Sequence, residues 1–162
     1  MTVESLEPPP GASVRWLSAG EQQVWRQLLR VEARLHERLD RDLREAHGLT
    51  LAEYEVLVHL SEAGPYGLRM SDLADLLFLS RSGLTRRIDA LVRAGLVTRR
   101  SCPQDGRGSM AQLTDGGVAR MGEAAPTHVA GVRRYLIDVL GLGRLSSLAS
   151  GLADVEEALD RP

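Results

Sequence analysis

The chain has 162 residues, 43% of them hydrophobic, with 20 basic and 22 acidic side chains for a net charge of −2. That is long enough for one domain with a substantial core. A single cysteine, Cys102, excludes an internal disulfide framework, and no continuous apolar run approaches the ~18–20 residues a membrane span needs. Leucine and alanine dominate and β-branched runs are few, which favours helix. The N-terminus lacks a charged-then-apolar leader pattern, so a cytoplasmic protein is expected, with no membrane partner.

Residues 1–17 read as a flexible arm around Glu7-Pro8-Pro9-Pro10-Gly11. Residues 18–162 read as a single domain. Ser18 with Glu21 has capping-box spacing and opens a long amphipathic helix over 20–46. Its stripe is Val24, Leu28, Val31, Leu35, Leu39 and Leu43. At about 40 Å it is too long to be covered by so small a domain, so part of the stripe is expected to meet a second chain. Gly48 ends it. Thr50 with Glu53 is another capping box, opening a helix through Tyr54, Leu57 and Leu60 that Gly64-Pro65 breaks. Residues 66–69 fit a short strand. Ser71 is expected to cap a short helix carrying Leu73, Ala74, Leu76 and Leu77, with Phe78-Leu79 as a turn.

Ser80 then caps a longer helix. Leu84, Ile88, Leu91 and Val92 share one face of it, Ser82, Arg86, Asp89 and Arg93 the other, with Thr85 at the edge. Gly95 stops the helix. A strand from Leu96 to Arg100, a turn at Pro103, Asp105-Gly106 and Gly108, and a returning strand over 110–113 make a hairpin with Arg107 at its tip. Short helix, turn, longer helix and basic hairpin predict a winged helix-turn-helix over about 50–114: a mainly α fold with a small β wing. The longer helix fits a major groove about 12 Å wide.

Charge supports this reading. The chain contains no lysine. Residues 80–107 hold seven arginines and two acids, net +5; residues 1–79 hold eight and thirteen, net −5; residues 108–162 hold five and seven, net −2. An acidic chain has concentrated its positive charge in one segment, as a polyanion-binding surface requires.

After the hairpin, Thr114-Asp115 restarts helix through Val118, Met121 and Ala125. Pro126 is expected to kink or split it. The stripe resumes at Val129, Val132, Leu136, Val139 and Leu140, and Gly141 to Gly143 is a break. The last helix has Leu145, Leu148, Leu152, Val155 and Leu159 in alternating steps of three and four, a seam that needs a partner helix. Helices over about 18–47 and 115–160 are therefore candidates for a dimerisation lobe.

From Ser80 to Leu91 the chain reads SRSGLTRRIDAL, preceded by Leu73-Ala74 and followed by Ala94-Gly95-Leu96-Val97, Asp105-Gly106-Arg107 and Leu113-Thr114-Asp115-Gly116-Gly117. In this order the motifs resemble the MarR family of transcriptional regulators, and the resemblance covers residues 21–160. It implies a homodimeric, ligand-responsive repressor acting on double-stranded DNA at a pseudo-palindromic operator. It implies that Arg86 reaches base edges or phosphates, that Arg107 enters the minor groove and that Asp105 orients it. Family members commonly hold small aromatic acids or other phenolics between the two lobes, so such an effector is expected. Arg87 stands where the family commonly has an apolar residue.

Ser82 and Gly83 keep the helix start slim. Ser80, Arg81, Thr85 and Arg87 are phosphate candidates, whereas Arg86 is the candidate for base readout. Asp89 is spaced to orient Arg86 or Arg93. Weaker signals point elsewhere. Cys102 has no resolving partner nearby, so a redox switch is not expected. His36, His47, His59 and His128 lack metal-ligand spacing, although one could line a pocket with Trp16 or Trp25. Residues 106–111 match a relaxed dinucleotide pattern without the strand and helix it requires. No enzyme activity, metal or cofactor is expected. The competing reading is a winged-helix protein-interaction module or co-regulator without specific DNA binding.

Overall fold

The computed structural model describes residues 14–101 and 108–161. Two compact units divide between Arg34 and Leu35. In the first, Ser18 and Glu21 form the expected reciprocal cap: the Ser18 amide donates to Glu21 Oε2 at 2.7 Å and the Glu21 amide to Ser18 Oγ at 3.3 Å. Hydrogen bonds from the Ser18 backbone and side chain hold the Glu21 carboxyl below its ordinary pKa. Helix α1 (Ala19–His47) starts there, and Val24, Trp25, Leu28, Leu29 and Val31 are all about half exposed or more.

In the second unit, α1 contributes buried Leu39 and Leu43 and ends at Gly48. Helix α2 (Leu51–Glu62) opens with the Thr50–Glu53 capping box. Asp40 adds a third tie, its Oδ1 accepting from the Leu51 amide at 2.9 Å while Oδ2 pairs with Arg44. Burial pushes the Asp40 pKa up, but the bonds from Arg44 and Leu51 outweigh it and leave the carboxyl below its usual value. A 3-10 turn over Gly64–Tyr66 leads into β1 (Leu68–Arg69), so the strand starts later than the sequence suggests.

Helix α3 (Met70–Leu76) follows without a gap. Ser71 does not cap it. Arg69, extended by its pairing in the sheet, occupies the cap position without a side-chain capping bond, and Ser71 Oγ instead donates to Asp72. Helix α4 (Arg81–Arg93) is followed by β2 (Val97–Ser101) and β3 (Ser109–Leu113). The sheet is antiparallel in the order β1-β3-β2, with Arg69 opposite Met110 and Val97 opposite Leu113. The core joins Leu43, Leu57, Leu60, Leu73, Leu84, Ile88, Leu91 and Val97, each at most 1% exposed, into one cluster.

Helix α5 (Asp115–Val132) is capped by Thr114 and passes through Pro126 without breaking. Pro126 and Gly122, whose carbonyl loses its donor, both lie on the exposed face, where water can take the missing bond. Regular helix gives way later, in a π segment over Arg133–Ile137, and again at Gly141 (φ 67°, ψ 167°) inside α6 (Asp138–Leu159). The sequence predicts the break at Gly141 but carries no mark of the π segment. The run from Asp115 to Leu159 contains an 18-residue window of mean hydropathy 1.3, long and apolar enough by composition to cross a membrane, with none of the window buried. No continuous apolar run of that length is present, yet the composition of the window qualifies. On α6, Leu148, Leu152, Val155 and Leu159 are 38–80% exposed.

Candidate nucleic-acid interface

Helix α4 is shaped by the residue that caps it. Ser80 sits in extended backbone and its Oγ accepts from the Gly83 amide at 3.1 Å, with Ser82 Oγ at 3.3 Å. A Cβ on Gly83 would lie 3.1 Å from Ser80 Oγ, so glycine leaves the cap undisturbed. Leu84, Ile88 and Leu91 are buried. Val92, placed on the same face by the sequence, is 39% exposed. Its direction falls about 80° from that of Leu84, at the margin of the stripe.

The opposite face presents Ser82, Thr85, Arg86 and Asp89 to solvent; Arg81, in the first turn beside the stripe, is also exposed, and Arg87 is half-buried. Among the described residues, Arg81, Arg86 and Arg87 are not among the ion pairs formed. Asp89 orients neither Arg86 nor Arg93 through its carboxylate. Its Oδ1 lies 2.9 Å from Nη1 of Arg99 on β2. Arg99 Nη2 also donates to the Thr85 carbonyl at 3.3 Å, and Arg93 Nε reaches only the Asp89 carbonyl. The strand next to the helix thus supplies the partner that helical spacing suggested.

Two residues absent from the sequence-based site belong beside it. Arg69 and Arg99, with Arg81, Met70, Thr85 and Ser109, line a cavity of about 360 Å³ where the starts of α3 and α4 meet the root of the wing. Only strand register brings Arg69 there, so no local signal marks it. A second cavity of about 590 Å³ is lined by His36, Glu37 and Asp40 of α1, Thr50 and Glu53 near α2, and Arg86 and Arg87 of α4. Asp105, Arg107 and Cys102 lie outside the described residues. Trp16 and Trp25 are 58% and 53% exposed. Among the described residues no three metal-ligating side chains cluster.

The wing and helix are joined behind this face by Thr114. Its Oγ1 donates to the Gly95 carbonyl at 2.7 Å and accepts from the Gly117 amide at 2.9 Å, while its amide donates to Leu96 O at 3.1 Å. Gly95, at φ 71°, lets the chain leave α4 and enter β2.

Residues 47–108 match a family model described as the MarR family. The chain is 42% identical to AbsC, a MarR family transcriptional regulator from Streptomyces coelicolor; the match covers 90% of this chain and 98% of that one, with a TM-score of 0.83. It is 36% identical to Sco3205, a MarR family transcriptional regulator from the same organism crystallised in complex with DNA, over 97% and 94% of the two chains, with a TM-score of 0.85. The HTH-type transcriptional regulator PecS of Dickeya dadantii (strain 3937) is 34% identical over 89 residues, 54% of this chain and 54% of PecS. The chain thus spans about half the length of the relatives matched by sequence alone. Alike in sequence and fold over nearly the full length of two such regulators, the chain belongs to the MarR family of transcriptional regulators.

Proposed function

We propose that the chain binds a pseudo-palindromic DNA operator as a homodimer, represses transcription from it, and releases it when a small aromatic acid binds. The observation that carries the DNA reading is the outer face of α4: exposed arginines, absent from the ion pairs of the described residues, stand behind a serine-capped, glycine-slimmed helix start in the one net-basic segment of an acidic chain. The crystal structure of the relative Sco3205 with DNA supports it. In this reading Arg86 takes guanine O6 and N7, a contact worth about 1–3 kcal/mol of discrimination. Ser80, Arg81, Thr85 and Arg87 hold phosphates, Arg107 enters the minor groove and Asp105 orients it.

The dimer accounts for two apolar surfaces. One is the half-exposed stripe from Val24 to Val31, and the other is the seam Leu148, Leu152, Val155 and Leu159. The cavity bordered by Arg86 and Arg87 supports release on effector binding, because an occupant would compete with the duplex for those two arginines. A regulator of this kind works where the DNA is, in the cytoplasm.

The test is selection of bound duplexes from a random pool, repeated with Arg86→Ala. Two half-sites about one helical turn apart are expected, with relaxed preference at one base pair per half-site in the variant. Retrieval of no consensus at low salt overturns the reading.

A further inference from the structure

Phe78 combines two costs that the fold does not require. It is 97% exposed, and at φ 50° it is the only non-glycine residue with a left-handed backbone among the described residues. An aromatic residue is a poor occupant of that conformation. The local bonding explains the backbone but not the side chain. At the end of α3 the Leu79 amide donates to Ala74 O at 2.8 Å and the Phe78 amide to Asp75 O at 3.1 Å. This is the Schellman closure, whose left-handed position glycine fills without steric cost. Leu79 then packs against the core with buried Ala74, which leaves the Phe78 ring in water. Glycine would serve the turn better and expose no ring.

What lies next to the ring indicates its use. Phe78 precedes by two residues the Ser80 cap of α4, the helix that carries Arg81 and Arg86. A residue just ahead of a helix that enters the major groove stands at the groove's edge, over the bordering strand. The nearest apolar surface on that strand is the C–H face of deoxyribose. Phosphate and sugar contacts of this kind fix register and carry no sequence information.

We propose that Phe78 is a DNA-contacting residue whose ring packs on a deoxyribose of the strand bordering the major groove, extending the α4 interface by one uncharged anchor. The proposal rests on the DNA-binding reading above. It explains why a strained, exposed aromatic occupies a position where the fold alone would favour glycine.

The test compares full-length wild type, Phe78→Gly and Phe78→Asn; asparagine also tolerates the left-handed backbone. The readouts are thermal melting, sedimentation, and duplex affinity over a range of salt. Expected are melting temperatures equal to or above wild type, an unchanged oligomeric state, and affinity reduced about three- to ten-fold on selected and random duplexes alike. The slope of log affinity against log salt should not change, because a ring releases no counterions. Phe78→Tyr should restore affinity. Wild-type affinity in both the Gly and Asn variants overturns the proposal. So does a loss confined to the selected sequence, or a changed oligomeric state, which assigns the ring to a second copy of the chain. Arg86→Ala on the same duplexes separates the two failures. If it weakens binding and the Phe78 variants do not, only the ring contact is lost; if wild type ignores duplexes at low salt, the DNA-binding reading falls with it.

Discussion

Arg99 Nη1 on β2 lies 2.9 Å from Asp89 Oδ1 on α4, and the same guanidinium donates to the Thr85 carbonyl. The pair is 33% and 51% exposed, so its direct contribution to stability is small, about 0–1 kcal/mol. Its effect is geometric: it sets the wing strand against the helix that carries Arg86. Two views of Asp89 then predict opposite signs. If the acid only repels the duplex, Asp89→Ala tightens binding. If it positions Arg99, Asp89→Ala weakens binding, and we expect a loss of about three- to ten-fold. Asp89→Glu should recover part of that loss, and the salt slope should stay at the wild-type value because no phosphate contact is removed. Fluorescence anisotropy at three or more salt concentrations reads both quantities.

Gly117 and Gly116 are neighbours with different tolerances. A Cβ at Gly117 would fall 2.1 Å from Leu96 O and 3.1 Å from its carbonyl carbon, backbone atoms held between α4 and β2. At Gly116 the nearest atoms would be 3.5 Å and 3.6 Å away, an ordinary contact. Gly117→Ala is therefore expected to destabilise by about 2 kcal/mol or more. Gly116→Ala should stay within about 0.5 kcal/mol of wild type. Chemical denaturation of the two variants side by side checks the contrast, and equal midpoints would contradict the close approach.

His128 gives stability a pH dependence. Its ring lies 4.8 Å from that of Tyr54, and its Nδ1 is sealed from solvent without a partner. Burial lowers its pKa, with Glu55 opposing in part. The same burial raises the Tyr54 pKa. The native state thus favours neutral His128, whereas the unfolded chain protonates it near pH ~6.5. Its contribution is complete above that pH and is lost as pH falls toward the lower native pKa. Melting temperature should drop between about pH 7.5 and pH 5.5 in wild type and drop less in His128→Phe. Parallel curves for the two proteins would show that His128 is not the source.

Much of this molecule was legible because much of it is local. The boxes at Ser18–Glu21 and Thr50–Glu53, the Ser80 cap, the buried stripe of Leu84, Ile88 and Leu91, and the breaks at Gly95 and Gly141 each follow from residues within a turn of one another. The exposed face with Ser82, Arg86 and Asp89 follows from the same period. What stayed hidden depends on partners distant in sequence. Helical spacing offers Asp89 partners on its own helix, and only the packing of β2 supplies Arg99. Arg69 reaches the wing through its register opposite Met110. Ser71 lost the cap because sheet pairing extends Arg69, and Pro126 does no harm because its missing bond faces water. For Asp105 and Arg107, outside the described residues, the family resemblance is the support.

The three bonds of Thr114 have a mechanical consequence. One hydroxyl clasps the exit of α4 at Gly95 and the entry of α5 at Gly117. The end of α4 and the start of α5 are therefore pinned to a single oxygen atom, and neither can shift without stretching a bond to the other.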